Sequence, residues 1–418
     1  MKGMVPLDHF SSQKGLFGVP TIGCSTLVTC ALEDHPARSP VSPEVVRNGV
    51  VAWEGALITY AGPRAGWDGT VDEDLAGRTI VPGFVDCHTH LPFYGWRADE
   101  YEARLAGQTY RDLHGQGGIP RSARMLAGAS DQEVLEFCHP LLGQMLAHGT
   151  TALELKTGYG LSIEAELRQA RLARSLADQT QQTCTVTLLA CHAVPPGVGR
   201  EEWVDSVCAT LIPRAAAEGL ADAVDVYVED IAFTVGDLER VAEAAAAASL
   251  PLRVHADQLG PSGAAEAAAR LGARSADHLN HAGPEGVEAL ARSETVAGLL
   301  PTSTLLMGGG RPPVPALREA GAALALATDF NPGTSPVLSL PEAISVGCAL
   351  YRLPPLEALV AATANAAWVL GLEDRIGSLV PGRQADFVVL EGEDVRMLPY
   401  RPGHNPVIQT FVGGGASR

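Results

Sequence analysis

The sequence predicts an α/β protein: a TIM-like (β/α)8 barrel with a small β-sandwich domain built from both chain ends. Three observations point there. Short apolar strand-like runs alternate about eight times with helix-forming stretches through the middle of the chain. Strand-rich patterns recur at the two ends. No G-x-G-x-x-G follows the first strand of the middle, where a doubly wound nucleotide-binding sheet would want one.

Residues 1 to about 22 show little periodicity and read as an unstructured lead. Strand formers on both sides of Glu54-Gly55 then make residues 49–62 a hairpin. Similar β character returns at 386–390 and 407–412, so the two ends are expected to pair. In the barrel, strands are expected at 84–86, 151–155, 185–189, 223–228, 252–254, 274–276, 296–300 and 323–327. Among the intervening helices, 237–249 is rich in Ala, Leu and Glu. The expected division is residues 1–82 and 376–418 for the small domain and 83–375 for the barrel.

A chain of 418 residues with 46% hydrophobic content can bury a large core. Its formal net charge of −18 argues against nucleic-acid or anionic-membrane partners, since both want basic surface. Eight cysteines with no Cys-x-x-Cys pair, several in apolar runs, read as buried thiols in a reducing compartment. No apolar run approaches the roughly 18–20 residues needed to cross a bilayer. The N-terminus lacks a basic-then-apolar signal pattern. A cytoplasmic enzyme acting on a small molecule is the expectation.

The segment Val81-Pro-Gly-Phe-Val-Asp-Cys-His-Thr-His90 carries the strongest chemical signal. In a strand, residues two apart share a face, so His88 and His90 project together as a pair suited to a divalent metal. Barrel enzymes place their chemistry at the C-terminal ends of the strands. That rule adds His192 after strand three, His255 after strand five, Asp277-His278 after strand six and Asp329 after strand eight. Five of the 12 histidines fall at strand ends on one face, which random placement rarely gives.

His88, His90, His255 and Asp329 make a plausible mononuclear site. A metal there lowers the pKa of water to about 7. Asp329 can also take the proton of the attacking water. Set against this, Asp329 could simply cap the Asn331-Pro-Gly turn. His278 can donate to a substrate carbonyl as charge develops, or be a core histidine held by Asp277. Arg97, in a loop, could fork onto a substrate carboxylate, although most loop arginines are only solvated. Lys156 could bridge a second metal as a carbamate, but an ion pair with Glu154 is preferred.

These motifs resemble the amidohydrolase superfamily. The words that carry the likeness include Pro-Gly-Phe-Val-Asp-Cys-His-Thr-His90, Lys156-Thr-Gly-Tyr-Gly160, Cys191-His-Ala-Val-Pro195, His255-Ala-Asp-Gln-Leu259 and Thr328-Asp-Phe-Asn-Pro-Gly-Thr334. The likeness runs from about Gly49 to Gly414. Within the superfamily, the chain is most similar to the branch that opens the ring amide of 4-imidazolone-5-propanoate, giving N-formimidoyl-L-glutamate in histidine degradation. The resemblance implies one zinc or iron ion on His88, His90, His255 and Asp329, and a homodimer. It implies substrate contacts at Arg97, Tyr159, His192 and Gln258, with Asn331, Gly333 and Thr334 holding the product-like end. Where some members carry glutamate, this chain has Gln258, an amide that orients a ring but cannot shuttle a proton. Proton transfer then falls to Asp329 or His278. Segments 114–119 and 301–307 depart from the usual pattern.

Two rivals follow. A purine or pyrimidine deaminase of the same superfamily would want glutamate at 258. A catalytically dead barrel serving as a scaffold would not keep every candidate ligand.

Overall fold

A computed structural model describes residues 19–33, 35–114 and 117–417 of the chain. The expected lead of residues 1–22 therefore lies largely outside the described residues, as does part of the 114–119 segment.

Eight parallel strands form one sheet in strict sequence order: Phe84–Asp86, Thr150–Lys156, Thr183–Cys191, Ala223–Val228, Leu252–Ala256, Ser275–His278, Val296–Leu299 and Leu324–Leu326. We number them one to eight. Every expected barrel strand is present, with ends shifted by at most two residues. Strands two and four are buried along their whole length, as a parallel sheet covered by helices requires.

The seam between strands one and eight closes just beyond their ends. Thr89 and Phe330 form a parallel bridge, and the His90 amide donates to the Phe330 carbonyl at 2.9 Å. One layer below, the Asp86 carboxylate accepts from the Thr328 amide at 3.1 Å and from its hydroxyl at 2.6 Å. Burial pushes the Asp86 carboxyl up to about 7, although the Thr328 bonds oppose this. The seam thus joins the segment bearing His88 and His90 to the segment bearing Asp329.

Helices lie between the strands, and their starts are locally encoded. Ser130 and Glu133 form a reciprocal capping box ahead of Asp131–Ala147, which buries Val134, Cys138, Leu141, Leu142 and Met145. Thr234 and Asp237 do the same ahead of Val235–Ala247. That helix begins two residues before the expected 237–249 because the Thr234 cap, not the alanine run, sets its first turn.

The chain ends form a second sheet of seven strands. Its order is Gly415–Ala416, Val407–Val412, Phe387–Leu390, Glu73–Pro82, Thr21–Val28, Val45–Glu54 and Leu57–Pro63. Its apolar face includes Trp53, Phe387 and Phe411, with the two phenylalanine rings stacked at 4.2 Å. Two of these strands gave no sequence signal. Thr21–Val28 is buried on both faces, and Glu73–Pro82 opens with polar and small residues that are largely exposed, so neither alternates between apolar and polar residues. Glu73–Pro82 runs into strand one through Gly83, where a Cβ would come within 2.1 Å of the Thr151 hydroxyl. That close approach ties the two sheets together. All eight cysteines are free thiols, and no helix among the described residues is long and apolar enough to cross a membrane.

Candidate metal centre and substrate pocket

The C-terminal ends of the barrel strands converge on one buried cluster. Ligand atoms of His88, His90 and Asp329 lie within 4.8 Å of one another, as do those of His88, His255 and His278. His90 Nε2 is 3.2 Å from an Asp329 oxygen, and His88 Nε2 is 3.6 Å from the same atom. The His88 and His255 rings are 4.5 Å apart, and His255 and His278 5.3 Å. Asp329 and His278 both have positive φ, 53° and 75°. Such conformations are costly for residues with a Cβ and gather at functional sites.

Two carboxylates orient the imidazoles from behind. Asp277 sits 2.7 Å from His88 Nδ1, and Asp225 3.0 Å from His255 Nδ1. Each fixes its ring so that Nε2 points inward. Both Nε2 atoms are buried without a hydrogen-bond partner. Burial, followed by neighbouring positive groups, holds the His88 imidazole well below its ordinary pKa, which favours the neutral, ligating form. Three imidazoles, one carboxylate and inward-facing orphan nitrogens fit a metal ion. Asp277 therefore holds His88, and not His278 as the alternative reading of His278 required. The two aspartates were missed as orienting groups, although Asp225 could have been found as a charge inside an apolar strand.

Lys156 is fully buried, 2.8 Å from a Glu154 oxygen and 2.6 Å from an Asp225 oxygen. Arg253 and Thr187 also engage Glu154. Asp225 thus joins Lys156 to His255. With both carboxylates on its ammonium, Lys156 has the ion-pair role expected of it, and a bridging role for a second metal finds no support. Despite burial, His255 and Lys156 hold the Asp225 carboxyl far below the ordinary range.

Above the cluster lies a narrow, partly open pocket. Of the expected contacts, Arg97, Tyr159, His192, Gln258, His278, Asp329, Asn331 and Thr334 line it. His192 stacks on His90 at 5.1 Å, and burial lowers its pKa strongly. Gln258 is half-buried, its amide nitrogen 3.5 Å from the Met307 sulfur. Segment 301–307 is a short helix that supplies this contact. Tyr110, Ile119 and Tyr227 complete the wall and were missed. Tyrosines and an isoleucine carry no metal or charge signature, and strand four has no histidine to draw attention to its end.

Arg97 is only 3% exposed, so it is no solvated loop arginine. Its Nε and Nη1 have no hydrogen-bond partner, and the Glu100 carboxylate stands off at 3.6 Å. A buried guanidinium with open donors invites a carboxylate. Gly333 is not on the wall but lies under Arg97, where a Cβ would come within 1.9 Å of Nη2. Asn331 braces that loop, its side-chain oxygen accepting from the Gly333 and Thr334 amides at 2.9 and 2.7 Å. Gly333→Ala is expected to displace the guanidinium. Steady-state kinetics should then show KM raised about tenfold or more with kcat less affected, the pattern for lost ground-state binding.

The amidohydrolase family model matches residues 79–416. Proteins named imidazolonepropionase are similar along most of the chain. The one from Rhizorhabdus wittichii is 44% identical over 370 residues, covering 87% of this chain and 93% of its own. That of Rubrobacter xylanophilus is 46% identical over 344 residues, 82% of each chain. Among solved structures, a zinc-bound adenosine deaminase from Xanthomonas campestris superposes with a TM-score of 0.70 at 20% identity. It covers 95% of this chain and 92% of its own. Guanine deaminase from E. coli has a TM-score of 0.70 at 16% identity, covering 96% and 99%. These two share the fold. With the family model and relatives above 40% identity both spanning most of its length, the chain belongs to the amidohydrolase family and, within it, to the imidazolonepropionase branch.

Proposed function

We infer that the protein hydrolyses the ring amide of 4-imidazolone-5-propanoate to N-formimidoyl-L-glutamate, a step of histidine degradation. The observation that carries this reading is a pocket with a metal-competent cluster at one end and, at the other, the buried Arg97 guanidinium with two nitrogens lacking a hydrogen-bond partner. A small ring with an anionic tail matches that polarity. The named relatives support the same reaction.

One metal ion per chain on His88, His90, His255 and Asp329, zinc or iron, would supply Lewis acidity and a nucleophilic water at neutral pH. The chain's own groups do the rest. Burial would raise the Asp329 carboxyl, but the hydrogen bond to His90 and the facing imidazoles outweigh it, so it stays ionised. As a carboxylate it can accept a proton from the attacking water and pass it to the ring nitrogen as the C–N bond breaks. His278 has its pKa lowered to about 3 by burial, so it is a neutral imidazole with one N–H to offer the carbonyl oxygen. Arg97 takes the propanoate, and Gln258 and His192 flank the ring.

Turnover of imidazolonepropanoate alongside metal analysis tests the reading. No turnover by metal-replete protein, or turnover of an aminopurine in its place, overturns it. His278→Ala is expected to lower kcat about 100-fold with metal content intact, the usual loss of one oxyanion donor. Since His278 also lies within ligand reach of His88 and His255, metal loss in that variant makes it a ligand.

A further inference from the structure

Strand four contributes two inward-facing residues, two apart on one face. Asp225 holds His255 from below, and Tyr227 stands one layer nearer the pocket. Tyr227 is the register partner of His255 on strand five. Its ring packs edge-on against His255 at 5.8 Å and against His192 at 6.1 Å. The residue is 2% exposed, and its hydroxyl is buried with no hydrogen-bond partner among the described residues. The buried Tyr351, by contrast, donates to Thr304 at 2.8 Å. A buried phenol without a partner is unfavourable unless something that enters the pocket supplies one.

We propose that the Tyr227 hydroxyl is a specificity-determining substrate contact that hydrogen-bonds the ring edge remote from the propanoate, the N–C–N unit that becomes the formimidoyl group. This rests on the function proposed above. The polar groups of the pocket sort by what they face. Arg97 serves the tail, and the metal cluster with His278 serves the carbonyl. The N–C–N edge is left to the wall formed by His192, Tyr227 and Gln258. A hydroxyl both donates and accepts, so it can pair with a ring N–H or with an imine nitrogen. A site built to pair a ring nitrogen discriminates against analogues that lack it.

The test compares Tyr227→Phe with wild type at equal metal content, using two inhibitors as probes. Imidazole-4-propanoate carries ring and tail; glutarate is an open-chain dicarboxylate with no ring nitrogen. In the variant, KM for imidazolonepropanoate and Ki for imidazole-4-propanoate should each rise about tenfold. The Ki for glutarate and the melting temperature should stay unchanged. Unchanged KM and imidazole Ki overturn the proposal, and so does an equal weakening of both inhibitors. If wild type fails to turn over imidazolonepropanoate, the proposed function falls, while dissociation constants of the two probes measured by calorimetry still decide the role of Tyr227. Failure of wild type to bind imidazole-4-propanoate overturns the contact as well.

Discussion

His255→Ala is expected to yield a folded protein with neither metal nor turnover. His255 sits between the two groups of donors, its ring 4.5 Å from His88 and 5.4 Å from His90. Its removal takes away one of the four proposed ligands and strands Asp225 against Lys156 with no imidazole to orient. The loss should therefore exceed the 10–100-fold cost of disturbing an outer partner of a metal ligand. Elemental analysis of purified protein beside an activity assay checks it. Full metal occupancy in the variant would show that the ligand set is wrong. Two metals per wild-type chain would instead return Lys156 to a bridging role.

Arg97→Ala should cost about 2–4 kcal/mol of substrate binding, seen as KM rising roughly 30- to 1000-fold. The size follows from burial: two of its nitrogens have no hydrogen-bond partner, and a carboxylate paired there is shielded from water. In the variant, an analogue lacking the propanoate should be processed as well as the substrate itself. An unchanged KM would separate Arg97 from the tail. The comparison with Gly333→Ala is informative, because that change leaves the guanidinium in the chain but moves it.

Much of this was legible in the sequence because the barrel repeats one pattern and its chemistry sits at strand ends. His88 and His90 were readable from spacing, and His255, His278 and Asp329 from position after apolar runs. Arg97 could not be read that way. Its burial depends on Gly333, more than 200 residues away, and on the Asn331 turn that fixes that loop. The aspartates behind His88 and His255 were hidden for a related reason: each comes from a different strand than the ring it holds. Tyr227 was invisible because an aromatic residue at a strand end is ordinary core until its hydroxyl is found without a partner. In the small sheet, Thr21–Val28 and Glu73–Pro82 escaped because a strand buried on both faces, or one opening with mixed polar and small residues, has no apolar–polar alternation to detect.

The second sheet also sets an order of events. Glu73–Pro82 lies at its centre, paired on one side with Thr21–Val28 and on the other with Phe387–Leu390. During synthesis, Val81 must wait about 300 residues for its partner Val388. Over that interval the ribosome has released the whole barrel, while the early strands present an open hydrogen-bonding edge. An exposed edge recruits neighbouring chains. The half-made protein is thus most vulnerable to aggregation until Phe387–Leu390 emerges and docks, covering that edge of Glu73–Pro82.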